Sequence, residues 1–168
     1  SVGQVASSEK GIQLIGPASI RGPADLKSKK IATNLGSTTE YYLRKYLKQH
    51  RLEGQVTIIN LDPGSQVPAL IRGDVDAIVS FLEVGVRALS SDRYRLIEGW
   101  GSSLMLNVSK KFLDAQPGAV EGILRALNRA AQEVKANPKA ALAAVSGDHG
   151  LVDQAYTNYL SYGGIDLT

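Results

Sequence analysis

The 168 residues include no cysteine, which excludes thiol nucleophiles, disulfides and thiolate metal sites together and leaves either redox compartment open. Histidine occurs only as His50 and His149, isolated from each other and from any metal-ligand spacing, so surface or capping roles are expected and a metal site is not. No apolar run approaches the roughly 18 residues of a spanning helix, and Ser1 to Lys10 is polar and lacks the apolar stretch of a signal peptide. Neither GxxxxGK nor GxGxxG occurs, which argues against a nucleotide loop. No Ser/His/Asp, Cys/His or paired-acid constellation assembles without assuming proximity, so no catalytic residue is named; Asp74 and Asp76 read as solvated turn carboxylates.

What is present reads as one ordinary packed domain, with 43% hydrophobic and 21% charged residues and a net charge of +3. Lysine and arginine are scattered, giving weak steering toward anions. Tyr41 to Arg51 (YYLRKYLKQHR) interleaves rings and bases, but on opposite helix faces, so a solvated amphipathic helix is favoured and no nucleic-acid partner is expected.

Along the chain, Ser1 to Ser8 reads as a frayed terminus and Gly11 to Ile15 (GIQLI) as a short strand before a Gly16-Pro17 turn. Asp25-Leu26 makes a single helical turn at most, and Lys30 to Leu35 a strand. A helix is predicted from Thr38 to about Arg51, from the spacing of Tyr42, Leu43, Tyr46 and Leu47, with Gly54 as stop. Gln55 to Leu61 follows as a strand. Gly64-Ser65 opens a helix that Gly73 ends, with Pro68 placed in its first turn. Asp76 to Phe81 is a strand, Glu83 to Leu89 a helix, and Tyr94 to Glu98 and Leu104 to Val108 two further strands. Helices are then predicted over Pro117 to Ala136, Pro138 to Val145 and Val152 to Tyr162. The alternation argues an α/β fold, a mainly parallel sheet flanked by helices with a helical C-terminal part.

The most informative segment is Asn34-Leu35-Gly36-Ser37-Thr38-Thr39-Glu40. A strand end, a glycine turn and a hydroxyl-rich helix start make an anion site, at the strand ends where open α/β sheets bind ligands. The competing reading is a capping box, in which Ser37 and Glu40 only satisfy each other's amides. Ser80, Phe81 and Glu83 sit where a strand turns into its helix and could line the same cleft; alternatively Phe81 is core and Glu83 a solvated first-turn acid. Trp100, the only tryptophan, reads as a loop residue among glycines and serines, able to stack on a ligand or simply to cover a core edge.

The stretches IRGPADLKSKKIA (residues 20–32), Gly36-Ser37-Thr38 and ALIRGDVDA (residues 69–77) together resemble the second lobe of the type 2 periplasmic binding proteins. Within these the likeness is to the nitrate, sulfonate, taurine and thiamine-precursor group of ABC-transporter solute receptors. The resemblance runs from about Gly11 to the C-terminus. It implies capture of a small anionic or polar solute by hinge closure without chemistry, no cofactor, a membrane permease as partner, and a periplasmic or membrane-tethered extracytoplasmic location. It also implies ligand-binding roles for Gly36, Ser37, Thr38, Ser80, Phe81 and Glu83, to which the local reading of the helix start and of the lone tryptophan adds Thr39 and Trp100. Phe81 stands where the group usually has tryptophan, Val84 where it has proline, and Ser28 where it has glycine.

On this reading residues 1–19 form a tail and crossover strand, 20–103 the ligand-binding lobe, and 104–168 a return strand and helices. The first lobe's opening strands are missing, which points to a truncated chain or a domain-exchanged homodimer. A sensing domain of a signalling protein is the alternative. A thiamine-pyrimidine-synthase-like enzyme ranks lower, because such enzymes rely on a cysteine-rich motif and this chain has no cysteine.

Overall fold

A computed structural model describes residues 3–146; the helix expected over Val152 to Tyr162 lies outside the described residues. The chain divides into two compact units, one formed by residues 10–100 and the other by residues 1–9 with 101–168.

The strands β1 (Gly3–Pro17), β2 (Lys30–Thr33), β3 (Thr57–Asn60), β4 (Ala77–Phe81) and β5 (Tyr94–Leu106) form one sheet in the order β3-β2-β4-β1-β5. β2 runs parallel to both β3 and β4, an arrangement that needs crossover connections such as the intervening helices. β1 is antiparallel to β4, with Ile12 opposite Phe81 and Ile15 opposite Ile78. The sheet is therefore mixed rather than mainly parallel. Two other expectations change with it. β1 begins at Gly3, so the segment read as a frayed end is strand, and the two strands read on either side of Trp100 are one continuous β5.

Within residues 10–100, the helices α1 (Thr38–Gln49), α2 (Pro63–Arg72) and α3 (Leu82–Leu89) follow β2, β3 and β4. The apolar positions of α1, Leu43, Tyr46 and Leu47, are buried against Ile12 and Leu14 of β1, Ile31 of β2 and Val79 of β4. α2 starts at Pro63, so Pro68 sits inside it rather than in its first turn, and Gly73 ends it at φ 79°. The remaining helices, α4 (Lys110–Ala115), α5 (Pro117–Ala136) and α6 (Pro138–Ser146), belong to the other unit. That unit leaves Leu104, Met105, Phe112, Leu113, Ile123 and Leu127 exposed.

Strand alternation turns Gln13 and Ser80, directly opposite one another, away from the Ile12 and Val79 side of the sheet. Both are buried, and neither the Gln13 amide nor Ser80 Oγ has a hydrogen-bond partner. α3 lies so close over this pair that a methyl group at Gly85 would collide with Gln13 Oε1 and come within 2.8 Å of Ile15 Cδ1. Gly85→Ala should therefore lower stability by about 1–3 kcal/mol in urea unfolding, since overpacking forces neighbours off their rotamers; an unchanged midpoint would show that α3 can lift at no cost.

Ser28 adopts φ 60°, the left-handed region that favours glycine, at the turn where its amide donates to Gln55 O at 2.7 Å. Glycine, with no Cβ, would occupy this conformation without strain. Ser28→Gly should raise stability by up to about 1 kcal/mol, the steric relief exceeding the added chain entropy; thermal unfolding reads this as a higher Tm, and a lower Tm would mean the serine side chain supplies an interaction of its own.

Candidate functional site

β2 ends at Thr33, and the chain turns into α1 through Asn34, Leu35 and Gly36, the last at φ 77°. The turn is tied from two sides. Asn60 Oδ1, at the end of β3, accepts from the Leu35 amide at 3.0 Å, and the Leu61 amide donates to Thr33 O at 3.0 Å.

The helix start itself is a closed hydroxyl network. Ser37 caps α1, its Oγ accepting from the Thr39 amide at 3.2 Å and donating to Asn34 O at 2.6 Å. Thr39 Oγ1 stands 2.7 Å from Ser37 Oγ and 2.8 Å from Thr33 Oγ1. A hydroxyl has one proton to give. Ser37 spends it on Asn34, so Thr39 donates to Ser37 and Thr33 donates to Thr39. Both lone pairs and the proton of Ser37 Oγ are then used. Thr39 is fully buried, whereas Thr38 and Gly36 are exposed.

Glu40 closes the other half of the cap, one residue displaced from the expected box. Its Oε2 accepts from the Gly36 amide at 2.7 Å, and its Oε1 from Arg44 Nε at 2.6 Å. The Gly36 amide, and after it Arg44, hold the Glu40 carboxyl below the usual carboxylate range.

Trp100 lies within β5, not in a loop. Its indole stacks on Tyr42 with ring centroids 5.5 Å apart at 22°, and meets Tyr46 edge-on at 5.8 Å and 76°. Both tyrosines are on α1. Burial, and then the negative charge of Glu98, push the Tyr46 phenol up. Phe81 and Trp100 are half-buried and pack against the same core as α1.

The structure thus brings Gly36, Ser37, Thr38 and Thr39 together on one turn and, through α1, links them with Trp100 and Phe81. Ser80 stands apart, since its side chain points to the opposite face from that of Phe81 and is buried beside Gln13. Glu83 is an exposed acid in the first turn of α3. Sequence reasoning passed over Thr33, Asn60, Tyr42 and Tyr46. The tyrosines had been visible as the apolar face of a helix, but their partner was hidden by the reading of Trp100 as loop. Among the described residues no cluster of three or more His, Asp or Glu is arranged to hold a metal ion, and no helix is long and apolar enough to cross a membrane.

Because Glu40 has a lowered folded pKa, its contribution to stability is present above the ordinary carboxylate pKa of about 4.3 and is lost as pH falls through the lower folded value. Glu40→Gln should accordingly lower Tm at pH 7, and the gap to the parent should close between about pH 4 and pH 2. A gap unchanged across that window would mean that the charge of Glu40 plays no part in holding the turn.

The sequence matches the family described as NMT1/THI5 like over residues 1–141. The taurine-binding periplasmic protein of Escherichia coli (strain K12) is 33% identical over 133 residues, covering 74% of this chain and 41% of that protein. Among solved structures, the alkanesulfonate-binding protein SsuA from Xanthomonas axonopodis pv. citri, bound to MOPS, superposes with a TM-score of 0.76 at 20% identity, covering 98% of this chain and 60% of its own. The periplasmic aliphatic sulphonate binding protein SsuA from Escherichia coli gives 0.76 at 19% identity, over 96% and 60%. The chain spans 41% of the curated relative's length and 60% of the length of these two structures. At such identities the superpositions establish a shared fold, while the family match rests on sequence over most of the chain. The chain belongs to the NMT1/THI5-like family and has the fold of the type 2 periplasmic binding proteins of the nitrate, sulfonate and taurine group.

Proposed function

We propose that this chain contributes to a solute-binding protein that captures a small anionic or polar solute for an ABC importer, by hinge closure and without chemistry. The observation that carries the reading is the turn from β2 into α1. It places a rigid, hydroxyl-rich helix start at the carboxyl end of a parallel strand, with Phe81 and Trp100 attached to the same core. Peptide amides at such a start point outward and the helix dipole favours negative charge there.

Within the turn, the Thr39 amide is bonded to Ser37 Oγ and the Tyr41 amide to Ser37 O. The solute's anionic group then falls to the amides of Thr38 and Glu40 and to the exposed Thr38 hydroxyl. Gly36, Ser37 and Thr39 shape the turn, Phe81 and Trp100 stand on the core it shares, and Glu83 enters as an exposed acid at the start of α3. Ser80 enters as a buried support of the strand that carries Phe81 and Glu83. The names of the relatives, which bind taurine or sulfonates, support an organic sulfonate as the solute class and a periplasmic location, and a membrane permease is the partner that the importer reading calls for. The exposed Leu104, Met105, Phe112, Leu113, Ile123 and Leu127 support a further lobe, in the same polypeptide or in a second copy, as the cover of that apolar surface.

Calorimetric titration with taurine, alkanesulfonates and nitrate tests the reading. At least one should bind and be recovered unchanged. Thr38→Ala should weaken the best ligand about tenfold, the worth of one hydrogen bond to a charged group. Ser37→Ala should act through the cap, costing about 1 kcal/mol of stability, with weaker binding as the turn loosens. Equal affinity for the parent and both variants would remove the site from this turn, and conversion of a bound ligand would remove the binding-only function.

A further inference from the structure

α1 carries two different surfaces at its start. One is the polar turn just described. The other begins one helical turn later, at Tyr42, which follows Thr38 by four residues and therefore lies on the same stripe of the helix. Helical side chains lean back toward the N-terminus, so the Tyr42 ring covers the turn that holds Thr38 and Thr39.

That ring is not isolated. It lies nearly parallel to the indole of Trp100, at 5.5 Å and 22°, while Tyr46 braces the same indole edge-on at 5.8 Å. Gripped from two directions by residues of one helix, the indole is held to one orientation. Phe81, at the end of β4, packs on the same core. Tyr42, Phe81 and Trp100 are each only partly buried, and Tyr46 fills the interior beneath them. A tightly solvated inorganic anion would use the polar turn alone and gain nothing from ring surface. An organic anion would place its charged group on the turn and its carbon body against the rings, removing apolar area from water.

We propose that Tyr42 is a specificity-determining residue of this site, fixing Trp100 as an aromatic wall that selects organic anions with a carbon body over inorganic anions. The proposal rests on the solute-binding reading given above and adds to it the residue that discriminates among solutes. Tyr42 acts partly by contact and partly by positioning the indole.

The test is a titration of the full chain with sulfate, methanesulfonate, propanesulfonate and pentanesulfonate, read by calorimetry and by the emission of Trp100, the only tryptophan. In the parent, affinity should rise by up to about fourfold for each added methylene, sulfate should bind weakest, and each sulfonate should shift the emission. Tyr42→Ala should flatten the dependence on chain length, and Tyr42→Phe, which keeps the stacking ring, should restore it. The series in the parent needs no variant, so a misfolded Tyr42→Ala would not shelter the proposal. Affinity independent of chain length, or a dependence that survives Tyr42→Ala, overturns the role of the rings while the solute-binding reading stands. Absence of binding by sulfate and by every sulfonate overturns this proposal, and where taurine and nitrate also fail to bind it overturns that reading with it.

Discussion

The buried hydrogen bond between Thr33 Oγ1 and Thr39 Oγ1, 2.8 Å long, joins the last residue of β2 to the second residue of α1. Neither hydroxyl can reach water, so losing one partner would leave the other unsatisfied in the interior, at a cost of about 1–3 kcal/mol. This asymmetry makes the turn between them rigid. The proton order running from Thr33 through Thr39 and Ser37 to the Asn34 carbonyl leaves each hydroxyl with a defined direction. Everything downstream on α1 inherits its placement from this junction. Leu43, Tyr46 and Leu47 reach the sheet, and Tyr42 and Tyr46 reach Trp100, from a helix whose first turn this bond ties to β2.

The same junction meets the capping reading and leaves one place for the proposed anion site. Ser37 and Glu40 do cap, though with Glu40 reaching the Gly36 amide instead of the Ser37 amide. Left-handed Gly36 makes that possible by swinging its amide toward the helix. The cap uses up the Ser37 hydroxyl and the Thr39 amide, so any ligand role passes to the neighbouring Thr38. Glu40 also brings a negative charge to the end of the helix where an anion would sit. Its two hydrogen bonds, one to Gly36 and one to Arg44, draw that charge into the protein's own network. An anion bound here would be held by amides and a hydroxyl, not by a nearby cation.

Where the sequence was legible, local chemistry and tertiary context agreed. The β-branched runs at Thr57–Asn60 and Ala77–Phe81, the ring and leucine spacing of Thr38–Gln49, and the Pro117 start of a long helix all specified the elements found there. The failures share a cause. Gly3–Lys10 and Gly99–Ser103 have short polar or glycine-rich sequences with little intrinsic preference for strand, yet both lie in long strands that are neighbours in the sheet. The expectation of a mainly parallel sheet failed because alternation of strands and helices speaks only for segments that alternate. β1 precedes the first helix, and nothing in its residues fixes the direction in which it meets β4.

The misreading of Trp100 had the largest consequence for the site. Flanked by Gly99 and Gly101, it looked like a loop residue whose use was open. As a strand residue it is directed by the backbone, and the flanking glycines take on another meaning. A side chain at Gly99 would approach Lys10 Cγ to 3.0 Å, so the lysine stem already occupies that space. Bulk is thereby excluded on one side of the tryptophan and supplied on the other by Tyr42 and Tyr46. Chemical type alone, an isolated indole in a glycine-rich stretch, could not separate a ligand wall from a core cover. The stack gives the indole its place on the core, with Tyr46 meeting its edge and the half-buried Tyr42 lying along its face, and under the proposal above the same surface would serve as the ligand wall.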